Sequence, residues 1–217
     1  IGLSAAATAM VARRIGEGDR DAAAKAGAQV ILIAVILSGV IAVPGYFYAE
    51  DLLRLMAHDT SVSETGFHFT RLLLTANLPI LLLWMLNGIF RGAGDAATAM
   101  RALWIANGVN IILCPVLIFG WGPFPAMGVI GSGVATTIGR SSGVAYQLWH
   151  LFEVGKIIRL RWNMLKPKWD TIGTLIKIAS GSTGQYLISS ASWIFMIFIL
   201  GQIGKEVTAG YTIAIRI

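Results

Sequence analysis

Residues 86–115, LNGIFRGAGDAATAMRALWIANGVNIILCP, join the end of one apolar run to the start of another and carry the punctuation of a helical hairpin. Arg91 falls in the last turn of the first run, where a cation meets the negative end of the helix dipole. Gly92 and Gly94 follow, and glycine takes the left-handed conformation that ends a helix without a steric penalty. Asp95 is then placed to cap the next helix by accepting from the free N–H groups of the Ala96 to Thr98 turn. That helix carries Asn107, Asn110, Cys114 and Pro115 in an apolar background. Lipid would leave such groups unbonded, so they are expected to face protein or a cavity.

The composition agrees with a bilayer setting. Hydrophobic residues make up 56% of the chain, charged residues 13%, and the mean hydropathy is +0.71; soluble domains carry about a quarter charged residues. The net charge of +6 comes from Lys and Arg gathered in loops between long apolar runs, the pattern of a membrane surface rather than of a nucleic-acid-binding face. One cysteine excludes an intrachain disulfide framework, and three scattered histidines give no metal-ligand spacing. No nucleic-acid partner, metal or cofactor is expected.

In chain order, residues 1–15 look like the end of a spanning helix rich in small residues, as close helix packing in lipid favours. The turn IGEGDRDAAAK leads to an apolar run at residues 26–49, long enough to cross a hydrocarbon core of about 30 Å, with a bend expected at Pro44. Residues 50–66 are polar, with a short surface helix expected around Leu52 to Met56. Spans follow at residues 67–90, interrupted by Asn77 and Pro79, at 102–121, and, after a Gly/Pro turn at 122–125, at 127–152. A basic linker precedes a sixth apolar segment at 172–203, and residues 207–217 open a seventh. Both ends fall inside apolar segments, so the chain is expected to be a piece of a longer membrane protein whose remaining spans are its partners.

Charge predicts the orientation. The loops at 13–25, 91–101 and 156–168 hold eleven Lys or Arg, the alternate loops two, and the first set should be cytoplasmic. Two of these turns are alike: Arg14-Ile-Gly16-Glu-Gly18-Asp19 and Arg91-Gly92-Ala-Gly94-Asp95 each place G-x-G-D after an arginine. Shared turn chemistry and a duplicated helical hairpin both account for the match.

Within the spans, Arg140 is the ionisable side chain set deepest. Such a residue either faces a pathway or partner, or snorkels to the membrane surface. Thr136 lies one turn before it on the same helix face. Asn77, Asn87, Asn107, Gln185 and Tyr186 suit interhelical hydrogen bonds as well as substrate contact. Trp84 and Trp193 lie deeper than the interfacial tryptophans and are candidate cavity walls.

Four segments, GLSAAATAMVARRIGEGDRDAA, GIFRGAGD, NIILCPVLIFGWGPFPAMGVIGSGVATTI and GQIGKEVTAGYTIAIRI, resemble the multidrug and toxic compound extrusion (MATE) family in order and spacing. The resemblance implies an all-α, polytopic fold of twelve spans in two lobes, located in the plasma membrane. On that plan residues 1–155 form the N-terminal lobe (spans two to six), 156–170 the cytoplasmic inter-lobe linker, and 171–217 the start of the C-terminal lobe. It also implies an antiporter, coupled to Na⁺ or H⁺, that exports small amphipathic and often cationic compounds. The family often shows Asn, then Asp and Pro four and five residues on, lining the N-lobe cavity. Asn110 and Pro115 match, but Cys114 stands where the carboxylate would be. Gln185 stands nearest a coupling Glu of span seven. The cavity candidates are Arg140, Thr136, Asn110, Cys114, Asn87, Gln185, Tyr186 and Trp84. A lipid-linked saccharide flippase, with a more basic cavity, and a polytopic membrane enzyme, with carboxylates or metal ligands at one face, are the alternatives.

Overall fold

The computed structural model describes residues 2–56, 60–121, 125–154 and 157–203. All regular elements among them are helical: α1 (Gly2–Gly16), α2 (Arg20–Met56), α3 (Thr60–Thr75), α4 (Leu78–Gly92), α5 (Ala96–Phe119), α6 (Gly128–Trp149) and α7 (Trp169–Ile203). A π turn, His150–Val154, extends α6, and a 3-10 turn, Trp162–Leu165, lies in the linker. By length and composition α2 and α5 can each cross a bilayer, and α3 with α4 makes a third crossing if the bent pair is one span.

The two G-x-G-D turns have the same architecture. Gly18 and Gly94 take φ of 79° and 82°. In the first turn the N–H groups of Gly18 and Asp19 donate to the carbonyls of Ile15 and Arg14; in the second, those of Gly94 and Asp95 donate to Arg91 and Phe90. These bonds satisfy carbonyls that a helix end leaves free. The aspartate then starts the next helix: Asp19 Oδ1 accepts from the Ala22 N–H at 2.8 Å and Asp95 Oδ1 from the Thr98 N–H at 3.1 Å. Gly92 differs from expectation. It stays helical, and its value is close approach, since a Cβ there would lie 2.5 Å from the Thr8 carbonyl oxygen.

Small residues set the other packing distances. On α6, Gly131, Ala135, Gly139 and Gly143 recur every fourth residue and are buried. Cβ atoms on the three glycines would meet the carbonyl oxygens of Leu117, Ala106 and Ala102 at 2.6, 2.6 and 2.8 Å, so backbone packs on backbone along α5. Outward faces are apolar, with Trp104, Ile111 and Phe119 of α5 exposed as lipid-facing residues would be.

One expectation along the chain is corrected and another is met. Residues 52–56 form no separate surface helix; α2 runs on through Pro44 to Met56. The interruption expected at Asn77 is present, and α3 and α4 meet there at 44°. There Asn77 Nδ2 donates to the Leu74 carbonyl at 2.7 Å, Thr75 Oγ1 donates to the Arg71 carbonyl at 2.7 Å, and Ser38 Oγ on α2 donates to Asn77 Oδ1 at 2.6 Å. Side chains thus take up backbone groups that the interruption releases, as a low-dielectric setting demands. The turn at 122–124 and the seventh segment at 207–217 lie outside the described residues.

Candidate functional site

A cavity of about 810 Å³ lies between α1, α4, α5 and α7. Its polar lining comes from Ser4, Thr8, Asn87 and Arg91, its aromatic lining from Trp84 and Tyr186, and its aliphatic side from Met100 and Leu103. The wall between α1 and α4 is tied together by hydrogen bonds between the two helices. Ser4 Oγ donates to the Trp84 carbonyl at 2.8 Å, and the Thr8 hydroxyl lies 3.0 Å from the Gly88 carbonyl. Arg91 reaches back to Ser4 Oγ at 3.4 Å. Trp84 and Tyr186 also line a neighbouring, more apolar cavity of about 520 Å³ bounded by Leu37, Ile80 and Leu187.

Asn87 is buried with its Oδ1 accepting from Gln147 Nε2 on α6 at 2.8 Å. Gln147 is fully buried, and among the described residues its Oε1 has no hydrogen-bond partner.

The remaining candidates form a second group. Asn110 Nδ2 donates to Thr136 Oγ1 at 3.2 Å, and Thr136 passes its own proton to the Ser132 carbonyl at 2.8 Å. Cys114 is half-buried one turn beyond Asn110. Arg140, one turn beyond Thr136, is also half-buried, with a buried Nε that has no hydrogen-bond partner among the described residues. Gln185 is exposed and lines neither cavity. The structure therefore gathers Trp84, Asn87 and Tyr186 in one place, and Asn110 with Thr136 in another.

Sequence reasoning missed Ser4, Thr8 and Gln147. Ser4 and Thr8 sit four apart in a run of small residues, a spacing that already places both on one helix face. Gln147 was visible as an amide in an apolar segment. At the charged end, Glu17 lies 2.8 Å from both Arg13 and Arg14, whose hydrogen bonds hold its carboxyl below the usual carboxylate range.

Residues 1–116, from α1 through most of α5, match the MatE family profile. The chain belongs to the MATE family. One MATE relative is the probable multidrug resistance protein NorM of Thermotoga maritima, 26% identical over 218 residues, which span 100% of this chain and 47% of that protein. Among solved structures the chain is similar to a MATE protein in the bent conformation, with a TM-score of 0.87 at 25% identity over 99% of this chain and 48% of the other. It is also similar to an outward-facing multidrug resistance MATE transporter, with a TM-score of 0.84 at 25% identity over 99% and 47%. The chain spans about half the length of the curated relatives it matches. MATE proteins are multi-pass transporters of the plasma membrane rather than enzymes, which sets aside the membrane-enzyme alternative.

Proposed function

We propose that this chain forms part of a secondary active antiporter that exports amphipathic, often cationic compounds in exchange for inward-moving Na⁺ or H⁺. The observation that carries the reading is the cavity between α1, α4, α5 and α7. Its volume of about 810 Å³ suits a drug-sized molecule, and its lining joins two aromatic rings to a few polar groups, the composition an amphipathic ligand needs. Trp84 and Tyr186 supply ring faces for a cation, and Arg91 is the one charged residue among the lining residues. A lipid-linked saccharide carrier calls for a more basic lining than that. Residues 1–155 then serve as the N-terminal lobe, 156–170 as a cytoplasmic linker, and 171–217 as the start of the C-terminal lobe. With Cys114 in place of a carboxylate, Asn110 and Thr136 offer neutral oxygens only, so the charge that responds to the coupling ion lies elsewhere in the transporter.

The test is efflux of a lipophilic cationic dye from cells that lack their own pumps and express the full-length protein containing this sequence. Expression should lower dye accumulation, and collapsing the Na⁺ and proton gradients together should abolish the effect. Trp84→Ala and Tyr186→Ala should each weaken apparent dye affinity by roughly tenfold, the equivalent of about 1.4 kcal/mol and within the range of a desolvated cation–π contact. Dye efflux that persists without either gradient would overturn the antiport reading.

A further inference from the structure

The apolar cavity of about 520 Å³ adjoins the larger one of about 810 Å³, and Trp84 and Tyr186 line both. On α4, Ile80, Trp84, Asn87 and Arg91 are spaced four, three and four residues apart and so fall on one helix face. They lead from an aliphatic end, in the smaller cavity, to a charged end, in the larger, over roughly 16 Å of helix. On α7 the same change takes one step, since Tyr186 borders both cavities and Leu187, 65% exposed, borders only the smaller. We propose that the two cavities form one polarity-graded site for cationic amphiphiles that carry a single aliphatic chain, with the cation on the Trp84 and Tyr186 rings and the chain in the smaller cavity.

The inference rests on the reading of the larger cavity as a ligand site and adds the chemical class of the ligand. Three observations commit the smaller cavity to a chain. The first is continuity: the rings that suit a cation belong to both linings, so a group attached to that cation has the smaller cavity beside it. The second is the position of Arg91. Its guanidinium reaches Ser4 Oγ at 3.4 Å, one turn beyond Asn87 and away from the shared rings, and like charges repel strongly where water is scarce. A cationic ligand therefore keeps its charge at the ring end, which is the end the two cavities share. The third is the lining itself. Leu37 from α2, Ile80 and Leu81 from α4 and Leu187 from α7 present aliphatic side chains, and among the described residues no charged group lines this space. A polar substituent entering it would give up its hydrogen bonds to water, whereas each methylene buried there gains about fourfold in affinity.

The experiment measures displacement of a lipophilic cationic dye from the full-length protein in phosphatidylcholine nanodiscs by N-alkylpyridinium salts with butyl, hexyl, octyl and decyl chains. Longer chains also partition better into the bilayer, so the quantity read is the ratio of variant to wild-type affinity for each salt, in which partitioning cancels. Leu37→Trp fills part of the smaller cavity from the half-buried α2 position. It should weaken decylpyridinium binding by roughly tenfold, the burial of one to two methylenes, and butylpyridinium binding by less than about twofold. Leu37→Asn, of similar size, should act in the same direction by a different route, because the chain would then bury an amide without a partner. Ile36→Trp, on the neighbouring α2 position that is 56% exposed and outside the lining, should leave all four ratios near one. Equal weakening of the butyl and decyl salts, or unchanged decyl binding in both Leu37 variants, would overturn the assignment and leave the smaller cavity to a bilayer acyl chain. Displacement needs no ion gradient, so this failure is distinct from failure of the antiport reading, which dye efflux with both gradients collapsed detects.

Discussion

Asn87 shows how one amide can belong to a cavity wall and to the packing behind it. Its carboxamide borders the large cavity, while its oxygen takes a proton from Gln147 on a helix behind the wall. Gln147 is fully buried and cannot turn to water for a replacement, whereas Asn87, 8% exposed, has only the cavity to turn to. Gln147→Leu, which keeps the volume and removes the donor, should destabilise the protein by about 1–3 kcal/mol through the buried amide left unpaired. Thermal unfolding in detergent measures this, and an unchanged melting temperature would mean that Asn87 finds another donor. Because Asn87 also faces the cavity, the same change should weaken dye binding, whereas an exposed α7 change such as Gln185→Leu should not. The sequence marks Asn87 as an amide in an apolar run, and that much was legible. Gln147 was not singled out, since pairing across 60 positions leaves no local trace.

The helices make a sharper contrast between what is local and what is not. Both G-x-G-D turns were legible nearly atom by atom, because a left-handed glycine and a capping aspartate act within five or six residues of one another. The end of α2 was misjudged for the opposite reason: residues 50–56 are polar, yet they continue a helix that is already formed. The small-residue run on α6 is visible in the sequence, but its packing role and its partner are not, since a glycine records closeness without saying to what. The structure supplies the partner, the carbonyl edge of α5, and with it a pair of opposite predictions. Gly139→Ala places a Cβ 2.6 Å from the Ala106 carbonyl oxygen and 3.0 Å from Asn110 Cβ. It should destabilise by about 1–3 kcal/mol through overpacking and disturb the Asn110–Thr136 hydrogen bond. Gly108→Ala, on α5 with open space around it, should be neutral or stabilise by up to about 1 kcal/mol, as alanine usually does in a helix. The unfolding midpoint should fall for Gly139→Ala and stay level or rise for Gly108→Ala, and equal destabilisation would show that helix contact distance is not what Gly139 protects.

At the scale of the whole molecule, the segment between α6 and α7 decides how the parts are held. Its composition reads as a basic, solvated linker, and Arg159, Arg161, Lys166 and Lys168 are indeed exposed. Yet Ile158, Leu160 and Met164 are buried in the common core, and the Leu160 N–H donates to the Leu151 carbonyl at 3.0 Å. Gln29 closes the arrangement from α2. Its Nε2 donates to the carbonyls of Met164 and Lys166 at 3.2 and 2.9 Å while its Oε1 accepts from the Lys168 N–H. None of this was legible, because the bonds join a side chain to backbone groups more than 130 positions away and any residue types could supply those groups. The consequence is positional: α7 begins at Trp169, the residue after the clamp, so Gln29 fixes where that helix enters the bundle and sets the Tyr186 wall of the cavity. Gln29→Leu keeps the bulk but leaves two carbonyls and one N–H without their partner, and local opening of the linker should become easier by about 1.4 kcal/mol, or roughly tenfold. Limited trypsin digestion of the full-length protein reads this directly, since the exposed Arg159, Arg161 and Lys168 are cleavage sites in this segment, whereas Pro167 protects Lys166. Cleavage in the linker should accelerate while the melting temperature of the α5–α6 pair, followed through Trp104 fluorescence in a background lacking the other tryptophans, stays near the wild-type value. Cleavage at the wild-type rate would show that burial of Ile158, Leu160 and Met164 holds the linker without Gln29, and that the position of α7 is set by its own packing against α1.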